Sequence, residues 1–352
     1  MGVQGPELVS LKLPSEIAAA VTNRGFKMVV NSSEQCNLRC VYCYETFALG
    51  HMRLDVAKGI VRLIEKRLTD GLDWLEIEFF GGEPLGAWNT LKYLTGNLYE
   101  LCQQHDVKLI GGMTTNSTLL HMDRLEWLVQ HGITAFQITL DGPREIHDAR
   151  RVSPQKTGSF DVIWQRLAMM HASDLASLEV TIRVHFDASS WPILFDQPSF
   201  LDTIIETFIR HDPRFKLYLH PVEKWGAGSA EGIKFFASCE DSGAALRDLL
   251  ARVSHAGLGP SQVPQLRGGP ETGESGHAVC YAARANAFVI RADGAVSKCT
   301  VAFDDDRNVV GRLTKEGELI IDHELHVPWL RGLVSGDASA LACPARGHIW
   351  ST

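Results

Sequence analysis

Three cysteines fall within eight positions of this chain, in the run Cys36-Asn-Leu-Arg-Cys40-Val-Tyr-Cys43. The C-x3-C-x2-C spacing follows directly on an apolar stretch, Phe26 to Val30. Three thiolates on one tight loop can each hold one iron of a cubane iron–sulfur cluster. The fourth iron then has no protein ligand and is open to a small molecule. Zinc is the chemical competitor, but a closed structural zinc site usually has four ligands in two close pairs. No fourth Cys or His adjoins Cys43; His51, eight residues on, is the nearest. Three unrelated buried thiols are the remaining alternative. With only 8 cysteines in 352 residues, such clustering argues against it.

The elements that must deliver these side chains follow from hydrophobic periodicity. Strands are expected at Phe26–Asn31, Leu75–Phe80, Lys108–Thr114, Ala135–Leu140, Glu179–Phe186 and Lys216–His220. Helices are expected at Leu54–Thr69, Trp88–His105, Met122–His131, Phe160–His171 with Ser159 as N-cap, and Phe200–Arg210. A short helix over Ser15–Ala20 carries no evident chemistry. Strands alternating with helices imply a parallel sheet with right-handed crossovers. Six units are fewer than the eight of a closed barrel, so an α/β fold built as an open, partial (β/α)6 TIM-like barrel fits the count. Chemistry in such folds gathers at the C-terminal ends of the strands. The cysteine loop, Gly81-Gly82-Glu83-Pro84, Asn116, Thr139 to Asp141, Arg183 to His185 and His220 all fall there.

Beyond a Gly- and Ala-rich break at Glu223 to Gly232, a helix is expected over Cys239–Ala256, then a linker from Gly257 to Gly276. Ala287–Arg291 and Val296–Thr300 read as a hairpin turning at Asp293-Gly294. Cys280 precedes it, Cys299 lies on its second strand and Cys343 is near the C-terminus.

Composition narrows the class. Acidic residues outnumber basic ones, 42 to 34, with no basic block, which argues against nucleic acid and anionic membranes as partners. No apolar run approaches the roughly 20 residues of a membrane helix. The first 14 residues lack a signal-peptide pattern. A cytoplasmic location is expected, where cysteines serve metals or catalysis more than disulfides.

The triad with Tyr42 before its last Cys and Tyr44-Glu45 after it resembles the radical S-adenosylmethionine (radical SAM) superfamily. The resemblance implies that a [4Fe–4S] cluster on Cys36, Cys40 and Cys43 binds SAM at its open iron. Reductive cleavage would give methionine and a 5′-deoxyadenosyl radical that takes a hydrogen atom from substrate. Gly81, Gly82, Glu83 and Pro84 match the family's GGEP motif, whose backbone reaches the methionyl amino group. A strand-to-helix turn with Pro near its first position is the plain reading of the same four residues. The resemblance further puts Tyr42 near the adenine, and Asn116, Thr139 and Asp141 along the ribose and methionyl part. Arg183 is a candidate for the SAM carboxylate or for pairing with an internal acid.

The run Leu140-Asp141-Gly142-Pro143, Glu145-Ile146-His147-Asp148, Arg150-Arg151 and Gly158-Ser159-Phe160 looks like peptide- and protein-modifying members of the superfamily. A polar, capped loop before a helix is its plainer reading. Cys280, Gly294-x4-Cys299 and Cys343 resemble the SPASM or twitch extension of such enzymes. The long form adds further cysteines, but Arg346 occupies the corresponding position here and no cysteine follows Cys343. One auxiliary iron–sulfur cluster is therefore expected, with Cys239, His277, His348, water or substrate as its fourth ligand. A buried thiol set without metal is the alternative. The expected organisation is a barrel over 1–235, helix and linker over 236–276 and a small α+β extension over 277–352.

His185, Asp187, His220 and Glu223 are candidate proton acceptors. The expected substrate is a ribosomally made precursor peptide, cross-linked within itself as a cyclophane, ether or thioether. Dehydrogenation or formylglycine-type oxidation of a protein or small molecule is the alternative, and a non-enzymatic metal-binding protein a third. An electron donor such as flavodoxin or ferredoxin is implied. Only 35 residues precede Cys36, too few for a leader-binding domain, so a separate leader-binding protein is a candidate partner.

Overall fold

The computed structural model describes residues 15–196, 199–225, 230–268 and 279–349. In sequence order the elements are α1 (Ser15–Val21), β1 (Gly25–Ser33), β2 (Arg39–Cys40), α2 (Leu54–Thr69), β3 (Trp74–Gly81), α3 (Trp88–Gln104), β4 (Lys108–Thr115), α4 (Met122–Gln130), β5 (Ile133–Leu140), α5 (Arg144–Arg150), β6 (Arg151–Val152), α6 (Phe160–His171), β7 (Glu179–Phe186), α7 (Phe200–Ile204), β8 (Phe215–Pro221) and α8 (Cys239–His255). The C-terminal part adds β9 (Ala287–Ile290), β10 (Ala295–Ser297), β11 (Val309–Leu313) and β12 (Leu319–Ile321).

Ten strands form one open sheet in the order β12-β11-β10-β9-β1-β3-β4-β5-β7-β8. The run from β9 to β8 is parallel, and β10, β11 and β12 are antiparallel additions. The parallel six-strand array β1-β3-β4-β5-β7-β8, with helices between successive strands, is a partial TIM-like barrel. The C-terminal extension joins that sheet through β9 beside β1. β1 therefore lies inside the sheet, and all nine of its residues are buried.

Strand alternation separates core from cavity. On β7, Val180, Ile182, Val184 and Phe186 are buried among helices, and Thr181, Arg183 and His185 face the barrel interior. Pairing sets Thr139 beside Arg183 and Arg183 beside Tyr218, with His185 beside His220 one layer further along.

Three expectations change in detail. The helix begun at Phe200 continues from Ile205 to Ile209 as a π-helical turn. Ser159 precedes α6, but its hydroxyl does not cap it. Its Oγ donates to the Arg151 carbonyl at 2.7 Å and faces His147 Nε2 at 3.0 Å. Asp148 Oδ1 instead accepts the Ser159 and Phe160 amides, both at 2.8 Å. The linker is also less loose than its composition implies. The Gln265 amide bonds both the Leu219 N–H and the Leu219 carbonyl, at 2.8 Å each, and so covers the edge of β8.

Candidate active site

The cysteine loop is held by its neighbours on both sides. Gly82 N donates to Ser33 O and Glu83 N to Gln35 O, each at 2.9 Å. A Cβ on Gly81, whose φ is +119°, would lie 2.3 Å from Ser33 O; one on Gly82 would lie 2.4 Å from Gln35 O. The glycine pair is thus required by the close approach of the backbone entering the loop. Glu83 is buried and faces the end of β4. Its Oε1 accepts from Leu85 N at 3.0 Å and Thr115 Oγ1 at 2.7 Å, and its Oε2 from Asn116 N at 2.8 Å. Burial holds its carboxyl above the ordinary value against these three donors. Pro84 opens the short 3-10 turn that follows. Asn116 Nδ2 donates to Asn37 Oδ1 at 2.9 Å and stands 3.6 Å from Cys36 Sγ.

Cys36, Cys40 and Cys43 line a cavity of about 130 Å³ with Gly81, Gly82, Asn116 and Arg151. Burial pushes the Cys36 and Cys43 thiols up to about 12, so thiolates here require a cationic partner. Among the described residues, no three Cys, His, Asp or Glu side chains converge on a point that a single metal ion would occupy. A cubane fits such donors, because each sulfur takes its own iron. His51, the nearest alternative ligand, has Nδ1 2.9 Å from Ser33 Oγ and does not line the cysteine cavity.

The family-like run after β5 builds the opposite wall. β6 pairs with β2, setting Arg151 opposite Cys40, and Val41 N donates to Arg150 O at 2.9 Å. Arg151 Nη1 donates to the Tyr42 hydroxyl at 2.8 Å, and Tyr42 donates to Asp141 Oδ2 at 2.5 Å. His185 Nδ1 lies 3.3 Å from both Asp141 Oδ1 and Tyr42 Oη. Burial pulls His185 down to about 4, with Arg183 adding to the effect. Asp141, although buried, stays ionised, held far below the carboxylate range chiefly by His185 and Arg151. A neutral His185 with Nδ1–H toward Asp141 leaves Nε2 as an acceptor.

A second cavity of about 780 Å³ shares Tyr42, Tyr44, Thr114 and Thr139 with the first. Arg183, His185, His220, Glu223 and Cys280 line it. His220 has Nδ1 2.6 Å from the Pro221 carbonyl, and burial first, then Arg183, drive its pKa well below the ordinary value. Burial raises the Glu223 carboxyl, and Arg346, at 3.7 Å, opposes that rise. Asp187 does not join this group. It is fully buried, pairs with Arg150 at 2.8 Å and accepts the Ser189, Ser190 and Lys234 amides. These bonds engage its carboxylate in holding the turn after β7, so it is not a free base.

Cys280 lines the larger cavity, and Cys299 and Cys343 lie close enough to it for their charges to interact. Burial pushes Cys299 up to about 12, with Cys280 and Cys343 adding to the rise. Asn308 shapes the Cys299 turn, accepting Lys298 and Cys299 amides at 3.1 and 2.8 Å and donating to the Cys299 carbonyl. Cys239 is exposed at the start of α8 and is not part of this trio. His348 has a buried Nε2 with no partner among the described residues, and its ring meets Trp329 edge-on. His277 lies outside the described residues. Cys102, which sequence reasoning left unassigned, is buried in the core on α3.

Sequence reasoning missed Arg151 as a site residue, and the pair joining Glu34 to Arg291 at 2.6 Å, which ties the cysteine loop to the hairpin turn. The signal for Arg151 was its place in the run ending Arg150-Arg151; Glu34 and Arg291 had none, being 257 positions apart.

His147 makes one prediction accessible without cofactor. Its Nδ1 accepts from Asp141 N at 3.2 Å, and burial lowers it to about 4. Between an unfolded value near 6.5 and about 4, the unfolded state binds a proton that the folded state refuses. Stability contributed by neutral His147 is present above about pH 6.5 and falls as pH drops toward 4, by roughly 3 kcal/mol at full extent. Urea midpoints over this range should fall more steeply for the parent than for His147→Gln; equal slopes would refute the assignment.

A partial barrel with a cysteine triad at the mouth of its first strand defines a class, and comparison with known proteins names it. Residues 30–185 match the family described as the Radical SAM superfamily, and this segment is a radical SAM domain, an enzyme domain. Such a domain implies a [4Fe–4S] cluster and SAM binding, which the donor set above fits.

Among curated relatives, the cysteine-type anaerobic sulfatase-maturating enzyme of Clostridium novyi is 25% identical over 152 residues, covering 41% of this chain and 40% of the relative. The GTP 3′,8-cyclase of Clostridium botulinum (strain Okra / Type B1) is 32% identical over 119 residues, covering 33% and 35%. The chain thus spans well under half the length of these relatives. Among solved structures, anSMEcpe with bound AdoMet and Kp18Cys peptide superposes with a TM-score of 0.65 at 19% identity, covering 87% of this chain and 84% of that one. Streptococcus suis SuiB bound to precursor peptide SuiA gives 0.55 at 16% identity, covering 90% and 68%. These two likenesses establish the shared fold. No helix among the described residues is long and apolar enough to cross a membrane.

Proposed function

We propose that this chain is a radical SAM enzyme that modifies a ribosomally made peptide and closes a cross-link within it. The observation that carries the reading is the pair of adjoining cavities. The smaller has Cys36, Cys40 and Cys43 on its wall, the larger has Cys280, and the larger, at about 780 Å³, has room for a peptide side chain with its neighbours. When bound, a cluster on Cys36, Cys40 and Cys43 with SAM would supply the 5′-deoxyadenosyl radical. Gly81, Gly82 and Asn116 form the wall against which SAM would lie. Glu83 positions that wall from behind through Asn116 N. Thr139 and Tyr42 stand where the two cavities meet. His185, oriented by Asp141, can take the proton released by substrate at Nε2; His220 and Glu223 stand nearby as further acceptors.

Cys280, Cys299 and Cys343 would hold one auxiliary cluster, whose chemistry is to accept the electron left after hydrogen abstraction. An external donor such as flavodoxin or ferredoxin, and a separate leader-binding protein, complete this reading. Likeness to SuiB and anSMEcpe, both solved with peptides, supports a peptide substrate. The match to a cysteine-type sulfatase-maturating enzyme favours a second reading, oxidation of a cysteine side chain in a protein.

The test is anaerobic reconstitution followed by incubation with SAM, a reductant and the peptide encoded beside the gene. Iron and sulfide of about eight each per protein molecule are expected, with deoxyadenosine formed. A peptide lighter by two hydrogens supports cross-linking, whereas loss of sulfur supports the second reading. Turnover of GTP with no change to any peptide would sink both.

A further inference from the structure

The larger cavity holds a cation that no acid among the described residues pairs with. Arg183 Nε is buried without a hydrogen-bond partner, and no carboxylate among those residues forms an ion pair with the guanidinium. Its carbon lies 5.7 Å from the Tyr218 ring centroid, so the aromatic face supports the group without satisfying its N–H donors. The acids nearby are engaged elsewhere. Glu78 accepts from Thr114 and has Lys27 at 3.8 Å; Glu223 has Arg346 at 3.7 Å and feels the Arg183 charge without forming an ion pair with it; Asp141 has Tyr42 and His185. A buried guanidinium donor without an acceptor is costly, so an acceptor is expected to reach this cavity-lining group from outside the chain.

SAM brings a carboxylate, but its own cavity contains another arginine. Arg151 lines the cysteine pocket, is 7% exposed, and uses Nη1 on Tyr42 while its Nε is buried and unpartnered. Arg183 lines only the larger cavity. With Arg151 beside Cys36 and Cys40, the cofactor's carboxylate has a receptor that leaves Arg183 free.

We propose that Arg183 is the receptor for a carboxylate of the substrate, so that the peptide segment entering the cavity presents an acidic residue or its own free carboxy-terminus there. This rests on the peptide-modifying reading above and adds a selectivity to it. The guanidinium fork matches a carboxylate in two parallel hydrogen bonds and does not match the neutral amide of Asn or Gln.

The test uses hexapeptides randomised at every position, acetylated at the N-terminus and prepared as two pools, C-terminal amides and free acids. Each pool is mixed with anaerobically reconstituted, SAM-loaded protein, and peptides retained through gel filtration are read by mass spectrometry. Retained amides should be enriched about tenfold or more in Asp and Glu over Asn and Gln. Arg183→Gln should abolish the enrichment and Arg183→Lys should keep part of it. Retention confined to free acids would support the receptor and assign it to a peptide terminus. No acid preference in either pool, or the same preference in Arg183→Gln, overturns the proposal.

A second measurement compares binding of SAM and decarboxylated SAM. Arg183→Gln should keep the parent's preference for SAM, which also shows the variant is folded, and Arg151→Gln should lose it. A preference lost in Arg183→Gln would make Arg183 the cofactor's group and overturn the proposal. Failure of the parent to bind SAM would overturn it from below, by removing the cofactor reading itself.

Discussion

Cys40→Ala is expected to lose roughly half of the iron, about four of eight per molecule, and to lower deoxyadenosine formation by more than about a hundredfold. Cys40 is the middle cysteine of the triad and pairs through its backbone with Arg151. The substitution leaves that backbone pairing available, so the loss should not be one of folding. Iron content, the visible absorption of the anaerobic protein and deoxyadenosine yield check it together. Cys239→Ala is the matched control, because Cys239 is exposed and apart from both trios. Cys40→Ala protein that keeps its full iron and its SAM cleavage would show that the triad is not the cluster site.

Glu83→Ala should destabilise the protein by roughly 3–5 kcal/mol, the largest effect expected from a residue of the GGEP turn. The carboxylate accepts from Leu85 N, Thr115 Oγ1 and Asn116 N in a site closed to water. Truncation strands all three donors at once. Glu83→Gln keeps one acceptor oxygen but turns an amide NH2 toward the other donors, so a smaller loss is expected. Urea unfolding of the apo protein measures this directly, without cofactor. A midpoint unchanged in Glu83→Ala would show that the carboxylate is no structural tie and return it to the cofactor. Substitution at Gly81 or Gly82 should act differently, by displacing the Ser33 to Gln35 segment that leads into Cys36.

Asp187 and Arg151 show how two residues exchange importance once the polypeptide is folded. As strand-end residues, His185, Asp187, His220 and Glu223 look equivalent. The fold divides them, since His185 and His220 alternate toward the cavity while the Asp187 carboxylate is wrapped by amides and Arg150. Arg151 reads as part of a polar loop. It becomes a buried wall of the cysteine pocket because its strand pairs with the loop carrying Cys40. Ser159 is a good N-cap by type, yet His147 and the Arg151 carbonyl claim its hydroxyl.

Properties that depend on local spacing were legible from the residues alone. They include the six barrel strands and the helices between them, the cysteine triad with its shortage of a fourth ligand, the hairpin at Asp293-Gly294, and the placing of motifs at strand ends. Period and turn chemistry act over a few residues, so one sequence carries them. Which side chains face which cavity, which acids are already paired and which arginine has no acid partner among the described residues were decided only by the tertiary structure. Those outcomes depend on partners tens to hundreds of positions away, as Glu34 and Arg291 are, and no local pattern encodes a pairing at that distance.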